Sequence, residues 1–367
     1  MNIVRLEATN FRNIAAARIE PGEGVNVFFG DNGAGKTNLL EAVFVLCLAR
    51  SQRGARDVMM VGEGEDDCFR LEGNARLTAN GGDVHLAVAY QKNGRKKVTI
   101  DGNPSGSARL FQTSVVISMA PEDVALFSGS PSVRRHFLDL YISQASPAYL
   151  ADLNDYAKAL AQKNAFLKNS PGEFCPFDPI LVQSGVRIMT ARDRFVRFLQ
   201  AQAPDYYHKI SGRFADDGRP EFDIVYRPNV PFESEEELPS VFQARLEAMR
   251  KKEEILQTAL VGPHRDDIDF SIGGFPARGY GSQGELRSGA VAVMMATAGF
   301  LEERRREKPI LLLDEIFAEL DDRRRDNLAG LFGRLDQIFL TTAVTPPQAL
   351  AEQAKVFHIR DGNVLSE

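Results

Sequence analysis

The residues Gly30-Asp31-Asn32-Gly33-Ala34-Gly35-Lys36-Thr37 constrain the fold of this chain more than any other stretch. They fit the pattern G-x-x-x-x-G-K-[ST] at every defined position, with a short apolar run before them at residues 25–29 and a strongly apolar one after them at residues 38–48. The first run suits a buried strand and the second a helix, so the order is strand, glycine-rich turn, helix. Glycines without a Cβ let consecutive backbone N–H groups curl around phosphate oxygens, and the helix that follows turns its positive end toward them. In such a loop Gly30, Asp31, Asn32, Gly33, Ala34 and Gly35 form the backbone cradle and Lys36 neutralises the β and γ phosphates, while the Thr37 hydroxyl is offered to Mg²⁺. A glycine-rich turn that matched by chance would not be expected to have both flanking elements in place.

At 367 residues the chain is long enough for one large or two ordinary domains with a buried core. A hydrophobic share of 44% and a charged share of 26% are those of an ordinary globular protein, which speaks against a disordered or membrane-embedded chain. No apolar run reaches the length of a membrane span, and Met1-Asn2-Ile3-Val4-Arg5-Leu6-Glu7 lacks the core of a signal peptide, so a cytoplasmic protein is expected. The net charge of −6 weakens any idea of a protein that coats nucleic acid through bulk charge; DNA contacts have to come from local basic patches. Cys47, Cys68 and Cys175 are odd in number, far apart and without metal-ligand spacing, as for reduced thiols.

In chain order, residues 3–29 read as a small β-unit with a turn at Phe11-Arg12-Asn13. Hairpin strands are expected at residues 69–77, 84–90 and 97–100, forming an antiparallel lobe that ends in Val115-Val116-Ile117. From 121 to 259 the pattern turns mostly helical, with apolar residues at helical spacing over 133–143, 147–168, 180–202 and 235–257 and a strand-like interruption at 222–226. Prolines 171, 176 and 179 break the run and no heptad persists, so a compact helical arm is expected rather than a long coiled coil. The fold class is therefore α/β, with a mixed-sheet phosphate-binding core, an antiparallel β lobe and an inserted helical arm: residues 1–120 and 260–367 form the head and 121–259 the arm.

After the arm the chain returns to nucleotide chemistry. Ile310-Leu311-Leu312-Leu313-Asp314-Glu315 is an apolar strand ending in two carboxylates, and the carboxyl edge of a parallel sheet is where ligands sit. There Asp314 can hold Mg²⁺ and Glu315 can orient or deprotonate an attacking water. Ser282-Gln283-Gly284-Glu285 opens a helix to about Arg306; the simplest reading is a capping box of Ser282 and Glu285, and the same helix start offers free N–H groups to an anion. Ala318-Glu319-Leu320-Asp321 reads as a turn, and strands at 338–341 and 356–359 with a last hairpin at Asp361-Gly362-Asn363 close the sheet.

The order of phosphate loop, inserted helices, S-Q-G-E, L-L-L-D-E and A-E-L-D resembles the ABC-type ATPase heads, in particular the SMC and DNA-repair branch. Asn10-Phe11-Arg12-Asn13, Ala120-Pro121-Glu122-Asp123, Gly129-Ser130-Pro131 with Arg134-Arg135 and Phe137-Leu138-Asp139, and Gly262-Pro263-His264-Arg265-Asp266-Asp267 narrow it: they are similar to blocks of the RecF family of bacterial recombination mediators. That resemblance implies a DNA-dependent ATPase of DNA repair, recombination, replication and the SOS response. Its members dimerise on ATP, bind DNA near gaps or single-strand/double-strand junctions, and help place the RecA recombinase with RecO and RecR. It also implies ATP and Mg²⁺ as cofactors, with Lys36, Thr37, Asp314 and Glu315 in the roles given above, and with Ser282 and Gly284 of one copy meeting the nucleotide of the other while Asp321 stabilises the paired sites. Arg12 would reach the nucleotide or be a solvated turn arginine.

Two departures from the wider ABC pattern stand out. Thr341-Thr342 takes the place of the transporter switch histidine, and no glutamine follows the strand at 115–118. Slow hydrolysis acting as a timer or switch is expected. A transporter ATPase subunit is the competing enzyme reading, against which the threonine pair and the long arm speak; a DNA clamp with a vestigial ATP site is the non-enzymatic one, opposed by the intact Lys36, Asp314 and Glu315. Candidate DNA patches are Arg95-Lys96-Lys97, Arg134-Arg135, the series Arg187, Arg192, Arg194 and Arg197, and Arg304-Arg305-Arg306, the first being preferred. One histidine and two acids in four consecutive residues at His264-Arg265-Asp266-Asp267 cannot all face one ion on a regular element, so a hydrogen-bonded turn is expected there.

Overall fold

A computed structural model describes residues 1–64, 66–78, 81–169, 175–212, 221–317, 322–332, 336–344, 348–352 and 354–365. Its elements in chain order begin with β1 (Asn2–Phe11), β2 (Ile14–Ile19), β3 (Gly24–Phe29), α1 (Lys36–Leu48), β4 (Cys68–Arg76), β5 (Asp83–Gln91), β6 (Lys97–Ile100), β7 (Asn103–Ser105), α2 (Ser107–Thr113) and β8 (Val116–Met119). A helical stretch follows, with α3 (Ala125–Ser128), α4 (Pro131–Ala145), α5 (Pro147–Asn169), α6 (Asp178–Ser211), β9 (Phe222–Arg227) and α7 (Leu238–Leu256). The chain then forms β10 (Asp267–Ile272), β11 (Phe275–Pro276), α8 (Ala277–Tyr280), α9 (Gln283–Arg305), β12 (Ile310–Asp314), α10 (Asp322–Phe332), β13 (Gln337–Thr342), α11 (Gln348–Ala351), β14 (Lys355–Arg360) and β15 (Asn363–Leu365). Two compact units result: one from Met1–Asp123, Lys209–Gly212 and Thr297–Glu367, the other from Val124–His208 and Arg213–Ala296.

The first unit is built around α1. Its sequence is apolar on every side, from Leu39 through Leu48, and such a helix is stable only when buried all round. It touches β1, β4 and β5 of one sheet and β12 and β13 of another. The first sheet is six-stranded and antiparallel, in the order β2-β1-β4-β5-β6-β7; the second is six-stranded, in the order β15-β14-β3-β13-β12-β8, parallel except for β15. In the second sheet Asp314 stands opposite Thr341, and Thr342 opposite Phe29, so the carboxyl ends of β12, β13 and β3 come level. The phosphate loop leaves from that edge.

Val115-Val116-Ile117 does not end the antiparallel lobe: β8 is an edge strand of the parallel sheet, pairing with β12, and its side chains are buried on both faces in the manner of a parallel strand. Residues 3–29 are likewise no single β-unit, since β1 and β2 belong to the antiparallel sheet and β3 to the parallel one.

In the second unit, Phe127, Phe222 and Phe270 pack together, with Tyr207 stacked on Phe222 at 5.0 Å. A further cluster joins Met189, Val230, Leu238, Phe242, Leu246 and Val261. α6 runs past the expected Gln202 and through Pro204; the lost helical hydrogen bond is offset by the buried face of Ala203 and Tyr207. Residues 260–296 pack with the helical unit rather than with the head, because β10 pairs along its whole length with β9. Among the described residues no helix is long and apolar enough to cross a membrane.

Candidate nucleotide-binding site

The loop from Gly30 to Thr37 is shaped by close approaches that exclude side chains. A Cβ on Gly30 would lie 2.2 Å from the Ile359 carbonyl oxygen, and one on Gly35 would lie 3.0 Å from the Asn13 side-chain amide. Gly33 and Gly35 adopt left-handed backbone angles, φ 82° and 109°, which glycine alone takes without strain. Gly35 is the N-cap of α1 and brings no side-chain cap, so the first turn of the helix presents its N–H groups to the cavity. Lys36 is buried and donates to the Gly30 and Asp31 carbonyls at 2.9 and 3.1 Å, with its ammonium 3.1 Å from Glu315 Oε1.

Facing the loop, Asp314 ends β12. Its Oδ1 accepts from the Thr37 hydroxyl at 2.8 Å and from the Thr341 hydroxyl at 2.6 Å. Burial raises the Asp314 pKa above the ordinary carboxylate value, and these two hydroxyl bonds pull it partly back. Glu315 sits at φ 50°, its N–H bonded to Thr341 Oγ1 at 3.0 Å and its side chain partly exposed. Thr341 thus joins both carboxylate residues, a role that reading the sequence had missed. The signal was present in the pair of threonines at a strand end, but only the strand order sets Thr341 beside Asp314.

A cavity of about 480 Å³, within the usual range for small-ligand sites, is lined by Asn32, Gly33, Lys36, Thr37, Arg53 and Glu315 among others. Arg53 was also not foreseen; it is exposed, without an ion-pair partner among the described residues, and borders this cavity and a neighbouring one of about 650 Å³. The residues present fit ATP with Mg²⁺. Thr37 and Asp314 are both oxygen donors, suited to a hard cation that keeps waters and phosphate oxygens as further ligands, and the loop offers backbone N–H groups beside one ammonium.

The N-F-R-N segment forms the wall of the larger cavity. Asn13 bonds Asn38 at 2.8 Å, and Asn10 holds the Asp66 and Cys68 carbonyls. Arg12 is not a solvated turn arginine: it lines this cavity, pairs at 3.1 Å with Glu41, which is buried on α1, and donates to the Met59 carbonyl. The final hairpin braces the loop from the other side, with the Gly362 N–H donating to the Ala34 carbonyl at 2.8 Å.

Ser282 and Gly284 lie in the second unit, at the start of α9. The capping box is present: Glu285 accepts from the Ser282 N–H and hydroxyl at 2.9 and 2.8 Å, and the Ser282 hydroxyl accepts from the Glu285 N–H at 3.4 Å. Asp321, with Ala318, Glu319 and Leu320, lies outside the described residues.

Most of the arginines considered for DNA are occupied. Arg134 is buried and forked onto Asp267 at 2.5 and 2.9 Å, and Arg135 donates to the Asp266 carbonyl. Arg192 is buried among Asp139, Asp266, Tyr149 and the Pro263 carbonyl. Arg187, Arg194 and Arg197 pair with Asp152, Glu235 and Asp193. Lys96 is tied to Asp57 and the Ala49 carbonyl, and Arg305 to the Phe111 carbonyl. Arg95, Lys97, Arg304 and Arg306 stay exposed. His264-Arg265-Asp266-Asp267 is the hydrogen-bonded turn expected: Tyr156 bonds His264 at 2.6 Å, and Asp266 accepts from Arg192 and the Asn229 N–H. Burial lowers the His264 pKa to about 4.

The chain matches the RecF/RecN/SMC N-terminal domain model over residues 2–363. It is 33% identical to the DNA replication and repair protein RecF of Geobacillus kaustophilus, across 99% of each chain. To the same protein of Geobacillus thermodenitrificans it is 34% identical, again across 99% of each. A solved structure of the recombination mediator protein RecF-ATP in the RecFOR pathway superposes with a TM-score of 0.87 at 29% identity, over 100% of this chain and 98% of that one. A Smc head bound to the C-terminal winged-helix domain of ScpA shares the fold, with a TM-score of 0.58 at 16% identity over 100% of this chain and 98% of that one.

Proposed function

Because this chain belongs to the RecF family, within the RecF/RecN/SMC N-terminal domain group, we propose that it is an ATP-dependent DNA-binding protein of recombinational repair and replication-fork maintenance. It dimerises on ATP and Mg²⁺, binds gapped or junction DNA, and helps load RecA together with RecO and RecR in the cytoplasm. Slow, DNA-dependent hydrolysis acts as a timer that ends the bound state. The observation that carries this reading is the meeting of Thr37, Asp314, Thr341, Glu315 and Lys36 at one edge of the parallel sheet.

In this reading Lys36 and the loop N–H groups bind the β and γ phosphates, and Thr37 and Asp314 hold Mg²⁺. When bound, the metal ion offsets charge on the phosphate oxygens. Glu315 orients or deprotonates the attacking water; it is held by the same ammonium that binds phosphate, so phosphates that engage Lys36 release Glu315 for that task. Arg53 faces the phosphates from the rim. Ser282 and Gly284 of a second copy close the site, with Asp321 stabilising the pair.

The test is Glu315→Gln with ATP and Mg²⁺ on gapped duplex, read by light scattering and gel shift. A dimer that stays on the DNA is expected. A protein that remains monomeric at saturating nucleotide would show the closing role of Ser282 to be wrong.

A further inference from the structure

Just ahead of α9 the second unit holds two aromatic rings and a cation out into solvent. Phe275 and Tyr280 are 57% and 74% exposed, with ring centroids 6.0 Å apart and an interplanar angle of 27°. Arg278, between them, is exposed and has no ion pair among the described residues. The base beneath these side chains is firm: Ala277 is buried, a Cβ on Gly281 would meet the Leu286 side chain at 2.5 Å, and left-handed Gly273 and Gly274 turn β10 tightly into β11. The rings are therefore presented by a packed turn, with little ordering entropy left to lose on docking.

The first unit carries a matching rim. Val58 and Met59, 43% and 58% exposed, sit on a 3-10 turn over Asp57–Met60 that Arg12 pins through the Met59 carbonyl at 2.8 Å. Met59 and exposed Glu63 line the 650 Å³ cavity, which shares Asn38 and Arg53 with the phosphate-loop cavity. Glu63 has no ion pair among the described residues.

We propose that Phe275, Arg278 and Tyr280 of one copy seat on Val58, Met59 and Glu63 of a second copy of this chain. The proposal rests on the composite-site reading above and deepens it. Apolar meets apolar, and the Arg278 cation meets the Glu63 carboxylate. Each patch adjoins one half of the composite site: Tyr280 is two residues from Ser282, at most about 7 Å along the chain, and Met59 is on the rim of the cavity beside the phosphate loop. A twofold axis repeats the contact, so each dimer contains it twice. Docking of the rings sets where the Ser282 helix end meets the partner's triphosphate. Exposed rings with an arginine also suit stacking on single-stranded bases, but the carboxylate rim has no part in that.

The experiment is sedimentation with ATP and Mg²⁺, without DNA, on wild type, Phe275→Ser/Tyr280→Ser, Arg278→Glu, Glu63→Arg, and Arg278→Glu combined with Glu63→Arg. The ring variant and each single charge reversal are expected to raise the dimer dissociation constant by about tenfold or more. The combined reversal should recover most of that loss, and binding of a fluorescent ATP analogue to dilute monomer should stay unchanged. Unchanged dimer constants, or a combined reversal no better than either single one, overturn the proposal. A loss confined to single-stranded oligonucleotide binding, with dimers intact, makes the rings a base-stacking platform and overturns it too. A wild type that stays monomeric sinks both this contact and the composite site, whereas a dimeric wild type matched by its variants sinks the contact alone.

Discussion

Replacing Gly30 by alanine tests whether the phosphate loop is held by close approach or by backbone freedom. Gly30 has no left-handed angle, so alanine fits its conformation; what it lacks is room. The added carbon would stand 2.2 Å from the Ile359 carbonyl oxygen and 3.2 Å from its carbon. An ordinary contact needs about 1 Å more, and overlaps of that size forced into packed sites cost about 1–3 kcal/mol. Relief requires moving the loop or the end of β14, and β14 carries the hairpin whose Gly362 N–H braces Ala34. Either movement spoils the cradle, so Gly30→Ala should weaken binding of a fluorescent ATP analogue by about tenfold to a hundredfold. Gly33 in the same loop gives the opposite case. Its φ is 82° and nothing lies within 4 Å of an added Cβ, so alanine there costs about 1–2 kcal/mol by backbone strain alone. Asparagine tolerates that region, and Gly33→Asn should bind better than Gly33→Ala, whereas Gly30→Asn should bind worse than Gly30→Ala. Wild-type affinity in Gly30→Ala, or the same rank order at both positions, would refute the reasoning.

In the second unit, Arg192→Met removes a buried cation and leaves Asp139, Asp266 and the Pro263 carbonyl without it; a loss of about 3–5 kcal/mol in denaturant unfolding is expected, and one below about 1 kcal/mol would contradict the network. His264 supplies a pH signature. Burial lowers its pKa to about 4 from 6.5, so the folded protein keeps it neutral while the unfolded chain takes up a proton below pH 6.5. Stability from this group is whole above pH 6.5 and is lost as pH falls toward 4. Between pH 7.5 and 5 wild type should lose about 2 kcal/mol more than His264→Gln, and parallel unfolding curves for the two would count against a buried neutral imidazole.

The legible parts of this chain are those written in adjacent residues. The phosphate loop, the Ser282–Glu285 box and the apolar run into Asp314 each need only local spacing, and each forms as that spacing requires. The illegible parts depend on partners far along the chain. Arg134 meets Asp267 across 133 residues and Arg192 meets Asp266 across 74, so two of the arginines that look like a surface for phosphate are buried ties of the helical unit. β8 has the look of one more hairpin strand because its place beside β12 is set by sheet order, which no local pattern carries. Thr341 is the clearest case. In the sequence it stands out only as half of a threonine pair where a transporter has its histidine, and it becomes part of the site because β13 lies between β3 and β12.

That threonine bears on how the proposed cycle is timed. Its hydroxyl donates to Asp314 and accepts from the Glu315 N–H, so it fixes the spacing of the two carboxylate residues and cannot change charge as an imidazole can. The side chains lining the phosphate-loop cavity are likewise amide, ammonium, guanidinium, hydroxyl and carboxylate. None of them is an imidazole. Lys36 holds Glu315 at 3.1 Å, and in the proposed cycle phosphate competes for that ammonium. In the proposed cycle hydrolysis thus waits on an exchange of ion pairs and on the arrival of a second Ser282, two conditions met together only in a dimer. On that proposal turnover is slow, and the length of the proposed DNA-bound state follows from how well the second copy docks.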